Sequence, residues 1–413
     1  MKVMLVHNRC RSDGPSGENR VVDQESEALA EAGHSVIRFG RDSDEIESWS
    51  LTQKALLPAK LVWNRGSRHD LAAALREHKP DVVHLHNTFP LLGDTVLYAC
   101  RDMRVPVVAT IHNYRLGCTG GTFFRDGALC HDCAGGALLP GVTHGCYRGS
   151  RTASAPLALS IGVHRRAWRS LVSAYVFISA SQRDLLRGVG LPEGRLFVRH
   201  NLIPRWAAPQ ARRQPIVVYA GRLAEVKGVR LLMDAWDRYL SLAGDAGLRL
   251  VIAGKGPLED EVAGWAATRP SVELAGFVSG ERSRELMSAA RAVLVPSIWE
   301  EPFGLVVVEA MAAGTAPIAA QRGSFTELIT DGVDGALFTA ADPAALASVI
   351  GDVEARPQTY EAYGQRARET YEHRFNPEHS IKHLLEIYNF AISNPAPGPG
   401  KPGHDEDQSM RGI

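Results

Sequence analysis

The chain has 413 residues, 45% hydrophobic and 22% charged, and Lys plus Arg balance Asp plus Glu at 46 each. That length exceeds one ordinary domain and predicts two, each with its own core, while zero net charge gives no support to nucleic-acid binding. No apolar run reaches the ~18 residues that span a bilayer. The opening MKVMLVHNRC is too short an apolar run for a secretory signal and reads as a strand, so a cytoplasmic location is the expectation.

In chain order, Lys2–His7 predicts a strand and Glu18–Ala32 a helix ended by Gly33. Between them Asp13–Asn19 (DGPSGEN) is a glycine-containing loop placed to meet a phosphate or sugar. It is not G-x-G-x-x-G, which argues against a nicotinamide dehydrogenase. Ser35–Phe39, Asp81–His86, Pro106–Ile111 and Tyr175–Ile178 predict further strands, and Leu71–His78 and Asp94–Asp102 helices. Ile203–Pro215, rich in Pro, Arg and Ala, reads as a linker.

The same alternation then restarts. Strands are predicted at Ile216–Gly221, Arg249–Ala253, Val272–Ala275, Ala292–Val295 and Pro317–Ala320. Helices are predicted at Arg230–Leu240, Arg282–Ala290, Asp342–Asp352, Pro357–Arg374 and Pro377–Ile392. The Pro/Gly-rich stretch from Asn394 to Ile413 reads as disordered. Repeated βα units mean an α/β chain of two doubly wound parallel sheets, with a ligand cleft between their carboxyl ends.

Three segments carry chemistry. Ala220–Gly228 (AGRLAEVKG) brings Arg222 and Lys227 to the end of a strand, where a guanidinium fork and an ammonium suit a diphosphate; a turn with two solvated cations is the plainer alternative. Ala253–Pro257 (AGKGP) offers Gly254 and Gly256, which let backbone approach a ligand. Ser297–Leu328 holds Glu301 and Glu309 on either side of a Pro-Phe-Gly turn that opens a helix. Carboxylates accept from sugar hydroxyls, and a helix N-terminus attracts phosphate.

With EPFGL inside Glu301–Glu309, G-R-x4-K-G before it, HNLIP at His200–Pro204, GSFTELITDGVDGALF from Gly323, and His86 and His112 at strand ends, the chain resembles the retaining GT-B glycosyltransferases of family 4. The resemblance covers nearly its whole length. It implies an N-terminal acceptor domain over residues 1–202 and a nucleotide-sugar donor domain over 203–375. It also implies a helix at 376–393 crossing back to the N-domain, and a tail over 394–413. It implies that Glu301 contacts the donor sugar and Glu309 the ribose. Phe303, Gly304 and Leu305 present backbone N–H groups to sugar and phosphate, and Arg222 and Lys227 neutralise the leaving diphosphate. The base lies along Gly276, Phe277 and Val278. Gly17, with Ser16 beside it, belongs to the N-terminal phosphate loop, where the family often has Gly-Gly and this chain has Pro-Ser-Gly. His112 faces the donor sugar. A UDP- or GDP-sugar donor, a hydroxyl acceptor (a glycan, a lipid-linked sugar or a small natural product) and catalysis without a metal cofactor follow as expectations. The rival readings are a sugar-nucleotide 2-epimerase of like fold using the same cleft, a nucleotide-sugar-binding protein without activity, and a zinc-dependent interaction module whose Cys-rich loop binds a partner.

Two features fall outside that pattern. Cys118, Cys130, Cys133 and Cys146 crowd one glycine-rich stretch with little apolar content of its own, so a structural zinc bound by four thiolates is one expectation and reduced thiols or a redox pair the other. Arg148, Arg151, His164, Arg165, Arg166 and Arg169, with Trp168, suggest either an acceptor or peripheral membrane contact or a solvated helix face.

Overall fold

The computed structural model describes residues 1–11, 16–206, 213–243 and 247–398. Residues 13–15 of the N-terminal glycine loop, the middle of the expected linker and most of the expected tail lie outside the described residues. The chain alternates strand and helix as its apolar runs dictate. The first half supplies β1 (Lys2–Arg9), β2 (Ser35–Asp42), β3 (Val82–Leu85), β4 (Val107–Ile111), a small hairpin of β5 (Phe124–Arg125) and β6 (Ala128–Leu129), β7 (Ala174–Phe177) and β8 (Leu196–Val198). The second supplies β9 (Ile216–Ala220), β10 (Arg249–Ala253), β11 (Val272–Gly276), β12 (Ala292–Val295), β13 (Ala316–Ala320) and β14 (Ala336–Phe338).

Two six-stranded parallel sheets result, in the orders β2-β1-β3-β4-β7-β8 and β11-β10-β9-β12-β13-β14. Both are doubly wound. In such sheets the crevice opens where the strand order reverses, beyond the carboxyl ends of the strands. Those points fall between β1 and β3 in the first sheet and between β9 and β12 in the second. Every residue of β3, β4, β7, β12 and β13 is buried, as strands covered on both faces must be.

The helix Pro377–Ser393 follows the second sheet in sequence but packs on the first. Ile381, Leu384, Ile387 and Tyr388 join a core with Val3, Leu5, Val22 and Leu29. The opposite face of that sheet is covered partly by Arg151–Leu171, whose Trp168 meets Tyr175 and Phe177. The arginine-rich stretch expected there as a membrane or acceptor contact or a solvated helix face is thus a helix with one apolar, buried side. The helix is capped by Ser150, whose Oγ accepts from Ala153 N–H, and carries Pro156 in its second turn. The short edge strands β8 and β14 also went unread, and β1 and β2 run further than expected. No described helix is long and apolar enough to cross a membrane.

Leu384 is wholly buried where the crossover helix meets the first sheet. Leu384→Ala is expected to cost roughly 3 kcal/mol, as leucine truncations in packed cores do. A urea titration would show the midpoint falling at unchanged slope, and a loss under about 1 kcal/mol would contradict this packing.

Candidate functional site

The second sheet's crevice gathers the residues the motifs singled out. Lys227 ends the turn after β9 and Glu301 follows β12, so the two flank the point of reversal. The turn into Lys227 closes at Gly228 with φ 71°, and a Cβ there would stand 1.8 Å from Pro296 O, so only glycine lets the two loops meet. Lys227 Nζ donates to both oxygens of Glu301 at 2.8 Å and sits 5.2 Å from the Trp299 ring. Ser297 Oγ and Trp299 Nε1 donate to Glu301 Oε2 at 3.1 and 2.9 Å. The expected roles put sugar on one of these groups and diphosphate on the other; the structure shows each satisfying the other, as opposite charges in a half-buried crevice do. Arg222 beside them is exposed.

Gly304 caps the helix Leu305–Ala312 with φ 88°, held against the Phe325 ring. Phe303 is buried and stacks on His200 at 5.7 Å. Glu309, on the same helix, is only 6% exposed, and burial raises its carboxyl above the usual range against the pull of Arg20. The loops at the ends of β9, β10 and β11 interlock, with Gly254 N–H donating to Gly276 O at 2.7 Å. A Cβ on Gly254 would strike Gly221 O, and one on Gly256 would strike Leu223 O. Past Gly276, Phe277 is 60% exposed and Val278 is half-buried.

The N-domain reaches this crevice through its first helix. Ser16 Oγ accepts from Asn19 N–H at 3.2 Å and caps Gly17–Glu31. A Cβ on Gly17 would lie 3.0 Å from Leu305 Cδ1. One turn on, Arg20 Nη1 lies 2.7 Å from Glu309 Oε1. The Glu327 carboxylate accepts from the N–H groups of Ala180 and Ser181 and lies 3.3 Å from His200 Nε2. These are contacts between the two sheets' domains.

On the N-domain side His86 and His112 follow β3 and β4, and His86 Nδ1 lies 3.0 Å from His112 Nε2. They line an open pocket with Phe89, Leu157, Ile161 and Trp168 among its walls. Arg115 also lines it; its guanidinium lies 4.1 Å from the Phe89 ring, and its Nε and Nη1 are buried without a partner among the described residues.

Cys118, Cys130, Cys133 and Cys146 line one smaller pocket with Asp132 and His144. All are free thiols. Burial raises the Cys133 and Cys146 thiols, and backbone N–H groups of Gly141 and Thr119 oppose the shift at Cys133. Among the described residues, the group already gathered at metal-ligand spacing is Glu25, His84 and His86 rather than the cysteines. In the arginine patch Arg148, Arg151, Arg166 and Arg169 are exposed and Arg165 is half-buried, while Arg151 Nε donates to Thr143 O at 2.8 Å, Arg165 to Gly136 O, and Arg169 to Val189 O. His164 and Trp168 are buried. These side chains tie the cysteine-rich stretch and its neighbours to the long helix.

Sequence reasoning missed Arg20, Arg115, Trp299 and Glu25. The first three stand within three residues of Gly17, His112 and Glu301, and that proximity was the available signal. Glu25 had none, because its partners lie far away in the chain.

Two family models divide the chain: Glycosyltransferase Family 4 matches residues 15–205 and Glycosyl transferases group 1 residues 204–370. A glycogen synthase of Mycobacterium tuberculosis is 28% identical over 408 residues, 89% of this chain and 90% of that one. An uncharacterized glycosyltransferase of Methanocaldococcus jannaschii is 24% identical over 400 residues, 89% of this chain and 92% of that one. Anabaena HepE, solved with UDP, superposes with a TM-score of 0.66 at 18% identity, over 94% of this chain and 100% of that one.

Burial holds the imidazoles of His86 and His112 down at about 3, from a free value of 6.5. Unfolded chains take up these protons near 6.5 and the fold refuses them until about 3. The stability tied to both rings is therefore complete above pH 6.5 and is lost as pH falls toward 3. Melting temperatures are expected to stay level from about pH 8 to 7 and to decline between about pH 6.5 and 5, less steeply in His112→Asn. Equal slopes in the two proteins would contradict this assignment.

Proposed function

Since the chain belongs to glycosyltransferase family 4, we propose that it moves a hexose from a UDP- or GDP-sugar to an acceptor hydroxyl with retention at the anomeric carbon and no catalytic metal. The observation that carries this reading is the convergence on one crevice of Lys227, Glu301, Glu309 and the helix start at Gly304, with His112 ending a strand of the other domain.

On this reading the donor exchanges the protein's internal ion pairs for its own contacts. Ribose hydroxyls take the place of Arg20 on Glu309, sugar hydroxyls engage Glu301, and Lys227 turns to the diphosphate. Breaking the anomeric C–O bond leaves positive charge on the sugar and negative charge on the diphosphate. Lys227, Arg222 and the dipole of Leu305–Ala312 stabilise the latter. The acceptor oxygen bonds to the same face of the sugar, and its proton passes to the departing diphosphate oxygen. The pocket beside His112 is the place for the acceptor. HepE's solved complexes with UDP and UDP-glucose favour testing uridine donors first.

For the cysteine-rich stretch we propose a structural zinc ion. Four thiols, Asp132 and His144 line one pocket in a segment with few apolar residues, and bound zinc supplies the folding energy such segments lack.

Three measurements check these readings. A thermal-shift panel of UDP-, GDP-, ADP- and dTDP-sugars should show a rise of several degrees with a UDP- or GDP-sugar at about a hundred times its Kd, lost in Lys227→Ala. NMR of the product should show the donor's anomeric configuration retained; no shift with any nucleotide sugar, or an inverted product, overturns the corresponding part. Elemental analysis should find about one zinc per chain, absent from Cys130→Ser/Cys133→Ser; freely titrating thiols with no metal would refute the zinc site.

A further inference from the structure

The first helix sends Glu25 into the N-domain, where it is 1% exposed and meets groups from two other segments. Arg199, just past β8, places Nη1 2.6 Å from Oε2. His84 Nδ1 lies 2.9 Å and His86 Nε2 3.3 Å from Oε1 as close charge neighbours; neither Oε1 nor His86 Nε2 has a hydrogen-bond partner of ordinary geometry among the described residues. Tyr388 of the crossover helix holds His84 Nδ1 at 2.7 Å, and Thr110 holds His84 Nε2 at 2.7 Å. The chain of contacts continues outward, from His86 Nδ1 to His112 Nε2 at 3.0 Å.

Three of these groups stand close enough to hold a cation. The guanidinium on the other carboxylate oxygen argues against one, since a divalent ion there would face Arg199 at short range in a buried site. The arrangement instead dictates proton positions. A ring nitrogen facing a buried carboxylate carries its hydrogen, because a lone pair there would meet negative charge; His86 is therefore protonated on Nε2. Its Nδ1 is then an acceptor, the nitrogen facing it on His112 is the donor, and the lone pair of His112 is left on Nδ1.

We propose that Glu25 and His86 are positioning residues that fix His112 as the Nε2–H tautomer, so that His112 offers the substrates a hydrogen-bond acceptor. Tyr388 steadies this relay from the crossover helix through His84. The proposal rests on the reading that His112 faces the sugar. Its role is to accept from a substrate hydroxyl and hold the sugar in register, with no proton removed.

Glu25→Gln reverses the relay in a defined way. Arg199 needs an acceptor, so the amide oxygen takes the Oε2 place and the NH2 faces His86. His86 must then accept on Nε2 and donate from Nδ1, and His112 becomes the Nδ1–H tautomer. In full-length protein labelled with 15N-histidine, the His112 signals are assigned by comparison with His112→Asn. We expect the Nε2–H pattern in the native protein and the Nδ1–H pattern in Glu25→Gln, with kcat lower by about tenfold or more and donor KM within about twofold. A native Nδ1–H or imidazolium pattern overturns the proposal whether or not Glu25→Gln folds. A switched tautomer with unchanged kcat overturns the positioning role. A native Nε2–H pattern in a protein that transfers from no donor would instead sink the functional reading and leave the relay standing.

Discussion

A carboxylate buried as deeply as Glu25 stays ionised only if cations and donors are built around it. Burial alone would push it up; the Arg199 guanidinium, with His84 and His86, holds it well below the usual range. The consequence is architectural. The first helix, the ends of β3 and β8, and the crossover helix must all reach one point, since Arg199 Nε also donates to Ser380 O and Tyr388 meets His84. Breaking a buried pair by deleting one partner costs about 3–5 kcal/mol, far more than an exposed bridge. The crossover helix is thus held by apolar packing and by polar contacts that tolerate little displacement.

The cleft obeys the same rule in a looser form. Lys227 with Glu301, and Arg20 with Glu309, are opposite charges that settle on one another. In each pair one member is exposed enough to be solvated and the other is nearly buried, so exchanging the cation for a ligand's hydroxyls leaves no bare buried charge. A site built this way avoids the cost of holding an empty pocket of like charges. It also makes ligand affinity a difference between two sets of hydrogen bonds rather than a sum of new ones.

Much of the fold was legible. Apolar runs of strand length with capped helices between them announced two doubly wound sheets, and glycine and acidic spacing marked the second crevice. What stayed hidden has physical causes. The three-residue strands β8 and β14 are too short for periodicity to show. The helix Arg151–Leu171 intersperses exposed arginines, some of which reach carbonyls of neighbouring loops, with its apolar positions, so the charge masked its buried side. Arg20 and Glu25 act across tertiary contacts that a single sequence does not record. Lys227 and Glu301 were found, but their pairing with each other depends on the loop Ser297–Glu301 folding back onto the turn before Gly228, which only the coordinates display.

Gly17 of the first helix faces Leu305, at the start of the helix Leu305–Ala312. Its backbone is one that any residue adopts, so what matters there is space, not conformational freedom. One added methyl would press on Leu305, leaving its neighbour a few tenths of an ångström to yield. The bare backbone at Gly17 therefore sets how closely the two domains pack at this point, and any side chain there would act as a spacer between them.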